Sequence, residues 1–393
     1  KYRIEVIASR KVRRSATKVL FVAASFPMAT FSKGLAGVIV AESSICPVGV
    51  QDVDDILYFG FPLTEMAEKY CFDECAYLLL YKALPSDEEL KAFRARIALN
   101  RELHPDLKQA LEVMPRSAAP MDVMRTTCSF LGMLYPEDGQ PPYKEAVALQ
   151  AFERALGALP AAILYWYHFT NEKRVETASV VPNESVAEHF LRILHGEGSP
   201  IAKSPLAVRA LDGSLILYAE HEMTASTFTS RLCASTLSDV WSCLTGAIGT
   251  LKGPLHGGAN EAAHRMLTSW SNRQAAADGV KAMLSAKEVV YGFGHRVYMK
   301  KGDPRSPVAK RISKALSESS LPHANPNYFA VSESAEAAME QEKGIKTNLD
   351  FYTASLYDQL GIPVGLFTPI FVISRTMGWA SHILEQRANN RLI

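Results

Sequence analysis

Apolar residues recur every three or four positions along most of the chain, which is the spacing of amphipathic helices. One helix start is predicted at Ser86, because Glu89 follows three positions later as in a capping box and Phe93 then opens an apolar face. A second predicted helix begins at Asn183 and ends at Gly196, residue types that favour a helix start and a helix stop. Helices therefore dominate the predicted structure.

Strand-like alternation is scarce in this sequence. It is confined to AGVIVAESSI (residues 36–45) and ILYFGF (residues 56–61), which together predict one small hairpin. Two short strands among many helical segments indicate an all-α protein.

Two breaks interrupt the helical pattern. The first joins Pro254 to a pair of glycines, and the second begins at Gly361. We therefore predict an all-α, two-domain protein, with a large helical domain from residues 28–257 and 361–393 and a smaller helical domain from residues 258–360.

Composition limits the classes of partner. The chain has 393 residues, more than one compact core usually holds, which agrees with two domains. A formal net charge of +1 provides no overall field for nucleic acid, and no uninterrupted apolar run approaches the roughly 20 residues of a membrane span. The six cysteines form no CxxC pair, so we interpret them as core residues in a reducing compartment. We expect neither nucleic acid nor membrane as a partner.

The first 27 residues have a different composition from the rest. They carry seven lysines and arginines against one acid, Glu5, together with hydroxyl and small residues. This composition is typical of an organelle transit peptide, and a non-native extension before Met28 is the alternative. We expect the mitochondrial matrix if residues 1–27 are a transit peptide, and the cytoplasm otherwise.

A histidine on a glycine-rich bend is the first candidate for chemistry. In LKGPLHGGANEA, the glycines that flank His256 let a ligand approach the backbone, and Asn260 is expected to cap the next helix. From this pattern alone, a histidine that merely packs in a helix corner is an equal alternative.

A second bend, GFGHRVYMKKGDPRS, places His295 directly after two glycines. It lacks the third glycine of a dinucleotide fingerprint and the G-K-[ST] of a P-loop. With glycines beside four cations, it predicts a site for phosphates and carboxylates, and a solvated basic loop is the alternative. The four cations are Arg296, Lys300, Lys301 and Arg305.

Three further residues complete the candidate set. Asp350 lies in the first turn of a predicted helix, where it is a general base or simply a helix cap. His221 starts HEMTA, which fails the HExxH zinc pattern because position 225 is alanine. Arg375 lies in an otherwise apolar helix, where it needs either a buried acid or an anionic ligand as its partner.

These motifs together resemble the citrate synthase family. The segments are HE with AST, GPLHGGANEA, GFGHRVY with DPR, and LDFY, and the similarity covers roughly residues 35–393. More narrowly, residues 120–126, 163–168, 217–231 and 367–387 look most like bacterial 2-methylcitrate synthases. The resemblance implies a citrate-synthase-like homodimer whose smaller domain closes over the cleft.

The resemblance implies that propionyl-CoA condenses with oxaloacetate and water to give 2-methylcitrate and CoA, with acetyl-CoA also accepted. The alternative is a citrate synthase that uses acetyl-CoA. By resemblance, Asp350 removes the proton next to the thioester carbonyl, His256 hydrogen-bonds the thioester oxygen, and His295 polarises the oxaloacetate ketone. The residues implied to hold the oxaloacetate carboxylates are His221, Arg305 and Arg375.

The family needs no metal and no permanently bound cofactor, because the CoA thioester is a substrate. The positions that match the family's CoA-contacting segments, with two nearby lysines, are Leu251, Lys252, Gly253, Pro254, Leu255, Val289, Val290, Tyr291, Gly292, Phe293, Gly294, Lys300 and Lys301.

The sequence departs from the family pattern at two places. Phe59 in YFGF replaces an arginine of the family's Y-R-G-Y, so a salt bridge or ligand contact there is not expected. The family also continues past the position of Ile393 into an arginine-proline tail that reaches the partner's oxaloacetate. If the protein ended at Ile393, we would expect weaker oxaloacetate binding.

Three other classes of function stay open on the residues alone. A metal-dependent hydrolase would use His221, His256, His295 and Asp350 as ligands, although their spacing matches no short zinc motif. Condensation through an acyl-cysteine would need Cys233 or Cys243, which have no activating neighbour in sequence. The third class is a helical binding protein without turnover.

Overall fold

A computed structural model provides the three-dimensional structure. The residues that it describes are 4–5, 22–23, 40–47, 55–137, 139, 141, 143–178, 181–254, 256–298 and 301–393.

The chain forms two units, Lys1–Glu42 and Ser43–Ile393. In the first unit, strand β1 (Ile4–Glu5) pairs antiparallel with strand β2 (Val22–Ala23). The remainder of residues 1–27, to which the transit-peptide prediction applies, lies outside the described residues.

The second unit confirms the all-α prediction, since its described residues form sixteen α-helices and one short 3₁₀ turn. The elements before the first predicted break are β3 (Leu57–Tyr58), β4 (Phe61–Pro62), α1 (Leu63–Lys69), α2 (Phe72–Tyr81), α3 (Asp87–Ala98), α4 (Pro105–Val113), α5 (Pro120–Leu134), α6 (Glu145–Thr170), α7 (Val186–His195), α8 (Pro205–Tyr218), α9 (Ala225–Ser235) and α10 (Val240–Leu251). The elements after that break are α11 (Ala259–Thr268), α12 (Arg273–Ser285), α13 (Arg305–Ser317), α14 (Pro326–Lys343), α15 (Leu349–Gln359), the 3₁₀ turn (Val364–Leu366) and α16 (Phe367–Ala388).

The observed hairpin is formed by ILYFGF together with Pro62, which follows it. Strands β3 and β4 pair antiparallel, and the turn between them places Phe59 at φ +47° and Gly60 at φ +91°. Two consecutive positive φ values are typical of a type I′ hairpin turn. The prediction that residues 36–45 supply the partner strand is wrong for residues 40–45, which form no strand, and residues 36–39 lie outside the described residues.

The capping chemistry of the sequence predicts the first of two helix starts correctly and the second incorrectly. Ser86 Oγ accepts from the Glu89 N–H at 3.3 Å and the Glu89 carboxylate accepts from the Ser86 N–H at 2.8 Å, which confirms the capping box. The predicted start at Asn183 is wrong, because Ser185 is the cap and forms a second capping box with Glu188. The two capping boxes have the same chemistry.

Helices α6 and α16 lie at the centre of the second unit. Helix α16 packs against α2, α5, α6, α8, α9 and α10, so nearly all of its side chains are buried. The expectation that nothing approaches a membrane span is wrong for α6 on length and composition alone. In the structure 78% of the apolar window of α6 is buried inside the protein, as in the core helix of a folded domain.

The helices of residues 258–360 pack largely on one another, with α12 against α14, α13 against α15 and α11 against α15. Helix α13 also contacts α8, and α11 contacts α16. The division into a large domain and a small domain at these boundaries stays a prediction.

A buried carboxyl on α8 makes stability depend on pH. Asp212 accepts a hydrogen bond of 2.9 Å from the Phe72 N–H, at the start of α2, and is almost fully buried. Burial and the neighbouring charge of Asp73 raise the pKa of Asp212 to about 7. The ordinary aspartate pKa is 3.8, so the folded chain binds this proton more tightly than the unfolded chain. Stability is therefore lost as the pH rises from 3.8 through 7.

We expect Asp212→Asn to raise the midpoint of thermal unfolding by about 1–3 °C at pH 8, because the amide keeps an oxygen acceptor for Phe72 and carries no charge. At pH 5 the gain should be smaller, since Asp212 is then already protonated. Thermal unfolding at both pH values measures this, with the exposed Asp278→Asn variant as the control. An equal change at pH 5 and pH 8 would contradict the prediction.

Candidate active site

One cavity of about 290 Å³ gathers all six predicted catalytic and substrate-binding side chains. They come from separate segments of the chain, and a different set of contacts positions each segment. The residues that line the cavity are Tyr218, His221, Thr224, His256, Ala259, Gly294, His295, Arg296, Asp303, Arg305, Asn348, Leu349, Asp350, Phe371 and Arg375.

The position of His221 follows from how helix α8 ends. The last turn of a helix leaves carbonyl groups without partners inside the helix. Here Arg375 Nε donates to the Tyr218 carbonyl at 2.7 Å, and the Tyr58 hydroxyl lies 3.1 Å from the Ile216 carbonyl. The chain therefore leaves α8 against α16, and His221 enters the cavity three residues later, with Nε2 2.8 Å from the Tyr298 hydroxyl.

Arg375 is a buried cation without an acid beside it. Its side chain is 1% exposed and its guanidinium lies 4.8 Å from the centre of the Phe371 ring. Among the described residues, no carboxylate lies within 4 Å of it. The sequence left a buried acid or an anionic ligand open as its partner. Buried Glu220 acts on Arg375 through its charge, which opposes the lowering of the Arg375 pKa by burial, but it makes no direct ion pair, so the guanidinium can still bind an anionic ligand.

Helix α16 can lie close to the end of α8 because the residue one turn after Arg375 is a glycine, Gly378. A Cβ atom at this position would collide with the Ala219 carbonyl and the Glu220 carboxylate. The absence of a side chain is therefore what lets the two helices approach closely enough for Arg375 to donate to α8.

A short backbone pairing brings His295 and Asp350 together. Residues 292–294 run antiparallel to residues 346–348, with one bridge and two backbone hydrogen bonds of 2.9 Å. Gly292 has φ +84°, and a Cβ there would lie 2.7 Å from the Phe351 ring. The glycine-rich bend and the start of α15 are thus joined directly, which sequence spacing alone does not indicate.

Asp303 was missed in the sequence and orients Arg305. Its carboxylate accepts from Arg305 Nε at 2.9 Å and Nη2 at 2.8 Å, and from the Leu349 N–H at 3.0 Å. A bidentate pair of this kind fixes both distance and angle. The D-x-R spacing in GDPRS was the available signal, because it allows a carboxylate to reach back to a guanidinium two residues later.

The three histidines are held neutral. Burial, followed by the charge of Arg375, lowers the pKa of His256 to about 4. Burial, followed by Arg305, lowers the pKa of His295 to about 4. Burial and the same arginines, together with His295, lower the pKa of His221 well below its usual value. Neutral rings next to two guanidiniums leave the positive charge of the cavity on the arginines.

Ser226 contacts the imidazole of His256 and orients it. The Trp379 indole N–H donates to Ser226 Oγ at 3.2 Å, and the same oxygen lies 2.9 Å from His256 Nε2. A neutral imidazole that accepts at Nε2 carries its proton on Nδ1. Ser226 thus orients the His256 ring, which lines the cavity rather than only packing in a helix corner, and the tautomer that accepts from Ser226 has its Nδ1–H available as a donor.

Asp350 is not a helix cap. Asn348 caps α15, since its Oδ1 accepts from the Asp350 N–H at 3.1 Å. The Asp350 carboxylate instead accepts from the Tyr218 hydroxyl at 2.6 Å. The expectation that Asn260 caps α11 is also wrong, because α11 begins at Ala259 and the Asn260 amide donates to Tyr218 at 3.0 Å.

The candidate CoA contacts are distributed unevenly. Gly294 lines the cavity, whereas the side chains of Leu251 and Val290 belong to the core. Lys252 Nζ lies 2.7 Å from both oxygens of the Asp122 carboxylate. Leu255 and Lys300 lie outside the described residues. The CoA contacts stay a prediction.

The alternative chemistries find little geometric support in the described residues. In this part of the chain, no three His, Cys, Asp or Glu side chains lie close enough to ligate one metal ion. Cys233 has no activating neighbour in sequence, but in the structure a hydrogen bond from the Cys243 thiol lowers the pKa of Cys233 to about 6. Neither cysteine lines the cavity that holds the histidines and arginines.

Comparison with known proteins identifies the family of the chain. The family described as "Citrate synthase, C-terminal domain" matches residues 34–393. The chain is 43% identical to a 2-methylcitrate synthase of Shewanella oneidensis, over 92% of each chain. It is 40% identical to citrate synthase 2 of Bacillus subtilis, over 93% of this chain and 94% of the relative.

Solved structures share the fold. The chain superposes on the citrate synthase of Thermoplasma acidophilum, which was solved as a ternary complex with carboxymethyl coenzyme A and oxaloacetate. The TM-score is 0.83 and the sequence identity is 25%, over 93% of this chain and 95% of that one. The all-α fold is thus shared with a known citrate synthase. The chain belongs to the citrate synthase family.

We expect the imidazoles of His256 and His295 to stay neutral down to about pH 5, because burial and the nearby arginines oppose their protonation. Since both folded pKa values are lowered from 6.5, the stability that they contribute is lost as the pH falls from 6.5 through 4. Nuclear magnetic resonance titration of labelled imidazoles, assigned with His256→Gln and His295→Gln, measures this. Midpoints at or above pH 6.5 in the folded protein would contradict it.

Proposed function

We propose that this protein is an acyl-CoA:oxaloacetate C-acyltransferase that condenses propionyl-CoA with oxaloacetate and water to give 2-methylcitrate and CoA. The observation that carries the proposal is the cavity in which the Asp350 carboxylate, three neutral imidazoles and two buried guanidiniums converge. The similarity to a 2-methylcitrate synthase supports the choice of propionyl-CoA.

The nucleophile would form between Asp350 and His256. Asp350 takes a proton from C2 of propionyl-CoA, and His256 Nδ1–H donates to the thioester oxygen on which negative charge develops. A neutral donor suits this step, because its proton is shared with the oxygen while the ring keeps its orientation on Ser226.

The acceptor would be held by the arginines. Arg375 is buried without a carboxylate in direct contact, and Arg305 is oriented by Asp303, so both can bind the carboxylates of oxaloacetate. His295 then donates to the ketone oxygen and protonates the alkoxide that forms as C2 attacks. His221 contacts a carboxylate from the side of Tyr298. Fixing both ends of the keto acid fixes the face that is attacked.

Hydrolysis would complete the reaction. Water adds to the thioester carbonyl of the condensed product, the carbon–sulfur bond breaks, and CoA leaves as the thiol while the carbonyl becomes the third carboxylate. We propose that residues 258–360 close over the cleft as a domain and exclude bulk water from the carbanion step. We also propose that the protein acts as a homodimer and needs no metal, by similarity to the family.

A citrate synthase that uses acetyl-CoA is the second candidate. The similarity to citrate synthase 2 of Bacillus subtilis favours it. The two thioesters differ by one methyl group, which is worth roughly 1–3 kcal/mol in an apolar pocket. Both activities can therefore occur in one protein, and the ratio of their rates defines the function.

We expect kcat/KM to be about tenfold higher for propionyl-CoA than for acetyl-CoA, with oxaloacetate saturating, because one buried methyl group contributes roughly that factor. Release of free CoA measures both reactions, and Asp350→Asn provides the background rate, with a kcat lower by about a thousandfold or more. A clear preference for acetyl-CoA would reverse the assignment in favour of citrate synthase.

Asp303→Asn should raise the KM for oxaloacetate about tenfold and change kcat and the KM for the thioester less than threefold. The amide cannot make the bidentate pair that orients Arg305, so a carboxylate of oxaloacetate binds less well. The matched control is Glu68→Gln, which removes the exposed partner of Arg311. An unchanged KM for oxaloacetate would show that Asp303 does not act through Arg305.

A further inference from the structure

Tyr218 connects several groups of the active site that come from different helices. It is the last residue of α8 and is 2% exposed. Its hydroxyl lies 2.6 Å from Asp350 Oδ1, 2.8 Å from Thr353 Oγ1 and 3.0 Å from Asn260 Nδ2. Three polar groups from α11 and α15 therefore surround one phenol oxygen of α8.

The direction of each hydrogen bond in this cluster can be deduced. An ionised carboxylate only accepts, so the single proton of Tyr218 goes to Asp350. The phenol oxygen must then accept from Asn260 Nδ2, which also donates to Thr353 at 2.6 Å. Thr353 keeps its own proton for the Leu349 carbonyl at 2.9 Å or for the phenol oxygen. The chain of donors runs from Asn260 through Tyr218 to Asp350.

We propose that Tyr218 is a positioning residue for proton abstraction, because its hydroxyl occupies Oδ1 of Asp350 and leaves Oδ2 as the oxygen that takes the C2 proton of the acyl thioester. Among the described residues, Tyr218 is the one hydrogen-bond donor to this carboxylate, so Oδ2 stays open to the cavity. The inference rests on the proposed function, since it assigns a role within that reaction.

The same hydrogen bond opposes the effect of burial on the base. Burial raises the pKa of Asp350, while the Tyr218 hydroxyl and then the charge of Arg305 lower it. The other charged groups that act on Asp350 are Asp303, which raises the pKa, and Arg375, which lowers it. The imidazoles of the cavity, His221, His256 and His295, are neutral. Loss of the phenol proton donor therefore leaves Asp350 harder to ionise.

The rest of Tyr218 has separate contacts that a phenylalanine would retain. Its ring lies 4.4 Å from the Phe371 ring, centre to centre, and its backbone carbonyl accepts from Arg375 Nε at 2.7 Å. Tyr218→Phe thus removes the donor to Asp350 and keeps the packing and the arginine contact, so its effect on the base is separable from an effect on oxaloacetate binding.

The test compares Tyr218→Phe with the unchanged protein across pH 5.5–9. We expect the acid limb of the kcat profile to move up by about 0.5–1 pH unit and kcat at pH 7.5 to fall about tenfold. The KM for oxaloacetate should stay within about twofold. The isotope effect on kcat with propionyl-CoA deuterated at C2 should increase, because proton abstraction becomes slower relative to the other steps.

Tyr357→Phe is the matched control. Tyr357 lies on α15 with Asp350, is buried, and has its hydroxyl 2.6 Å from Ser214 Oγ. Removing this hydroxyl also costs one buried hydrogen bond but leaves the donor to Asp350 in place. Its pH profile and isotope effect should match those of the unchanged protein.

Asn260→Ala provides a second, independent variant. It removes the donor to the phenol oxygen and weakens Tyr218 as a donor in turn, so we expect a smaller shift of the same sign. If Tyr218→Phe does not fold, the profile of Asn260→Ala decides. An acid limb and an isotope effect that stay unchanged in the folded variants would overturn the proposal.

The outcome for the unchanged protein separates the two hypotheses. If it turns over neither thioester with oxaloacetate, the proposed function is wrong and the role of Tyr218 in it is wrong as well. If it turns over a thioester and the Tyr218→Phe profile matches that of the Tyr357→Phe control, the inference alone is wrong.

Discussion

The buried end of helix α8 is the constraint on which the site depends. Its last carbonyls cannot bond within the helix and lie away from water, so they need donors from elsewhere. Side chains of α16 supply them, through Ser374 to the Leu215 carbonyl and Arg375 to the Tyr218 carbonyl. The negative end of the α8 dipole and the charge of buried Glu220 both stabilise the guanidinium, which explains how a cation is buried there without a carboxylate in direct contact.

That contact determines what the two sides of the cavity can do. A guanidinium that is stabilised by backbone dipoles keeps donors free for an anion, whereas one paired with a buried acid would not. On the other side of the cavity, Arg305 is paired directly with a carboxylate, that of Asp303. Burial and the two arginines keep the nearby imidazoles neutral, so hydrogen-bond donors and fixed positive charge occupy different residues.

The sequence predicts the site better than it predicts the contacts that support the site. His256, His295 and Asp350 stand in local motifs whose glycines and helix starts are visible in the chain, and all three line the cavity. Asn260 was expected to cap its own helix, because capping is a local preference. Its actual partner, Tyr218, is 42 positions away in sequence, and no local pattern reports such a contact.

The same contrast applies to the fold. Helix content follows from periodicity and capping, which act within a few residues. The bend at residues 292–294 depends instead on its pairing with residues 346–348. Because that pairing joins the two ends of the stretch of chain between them, the loops within this stretch can vary in length. Extra residues between α13 and α14, for example, would enlarge a surface loop at small entropic cost without shifting His295 against Asp350, so the family can diversify there.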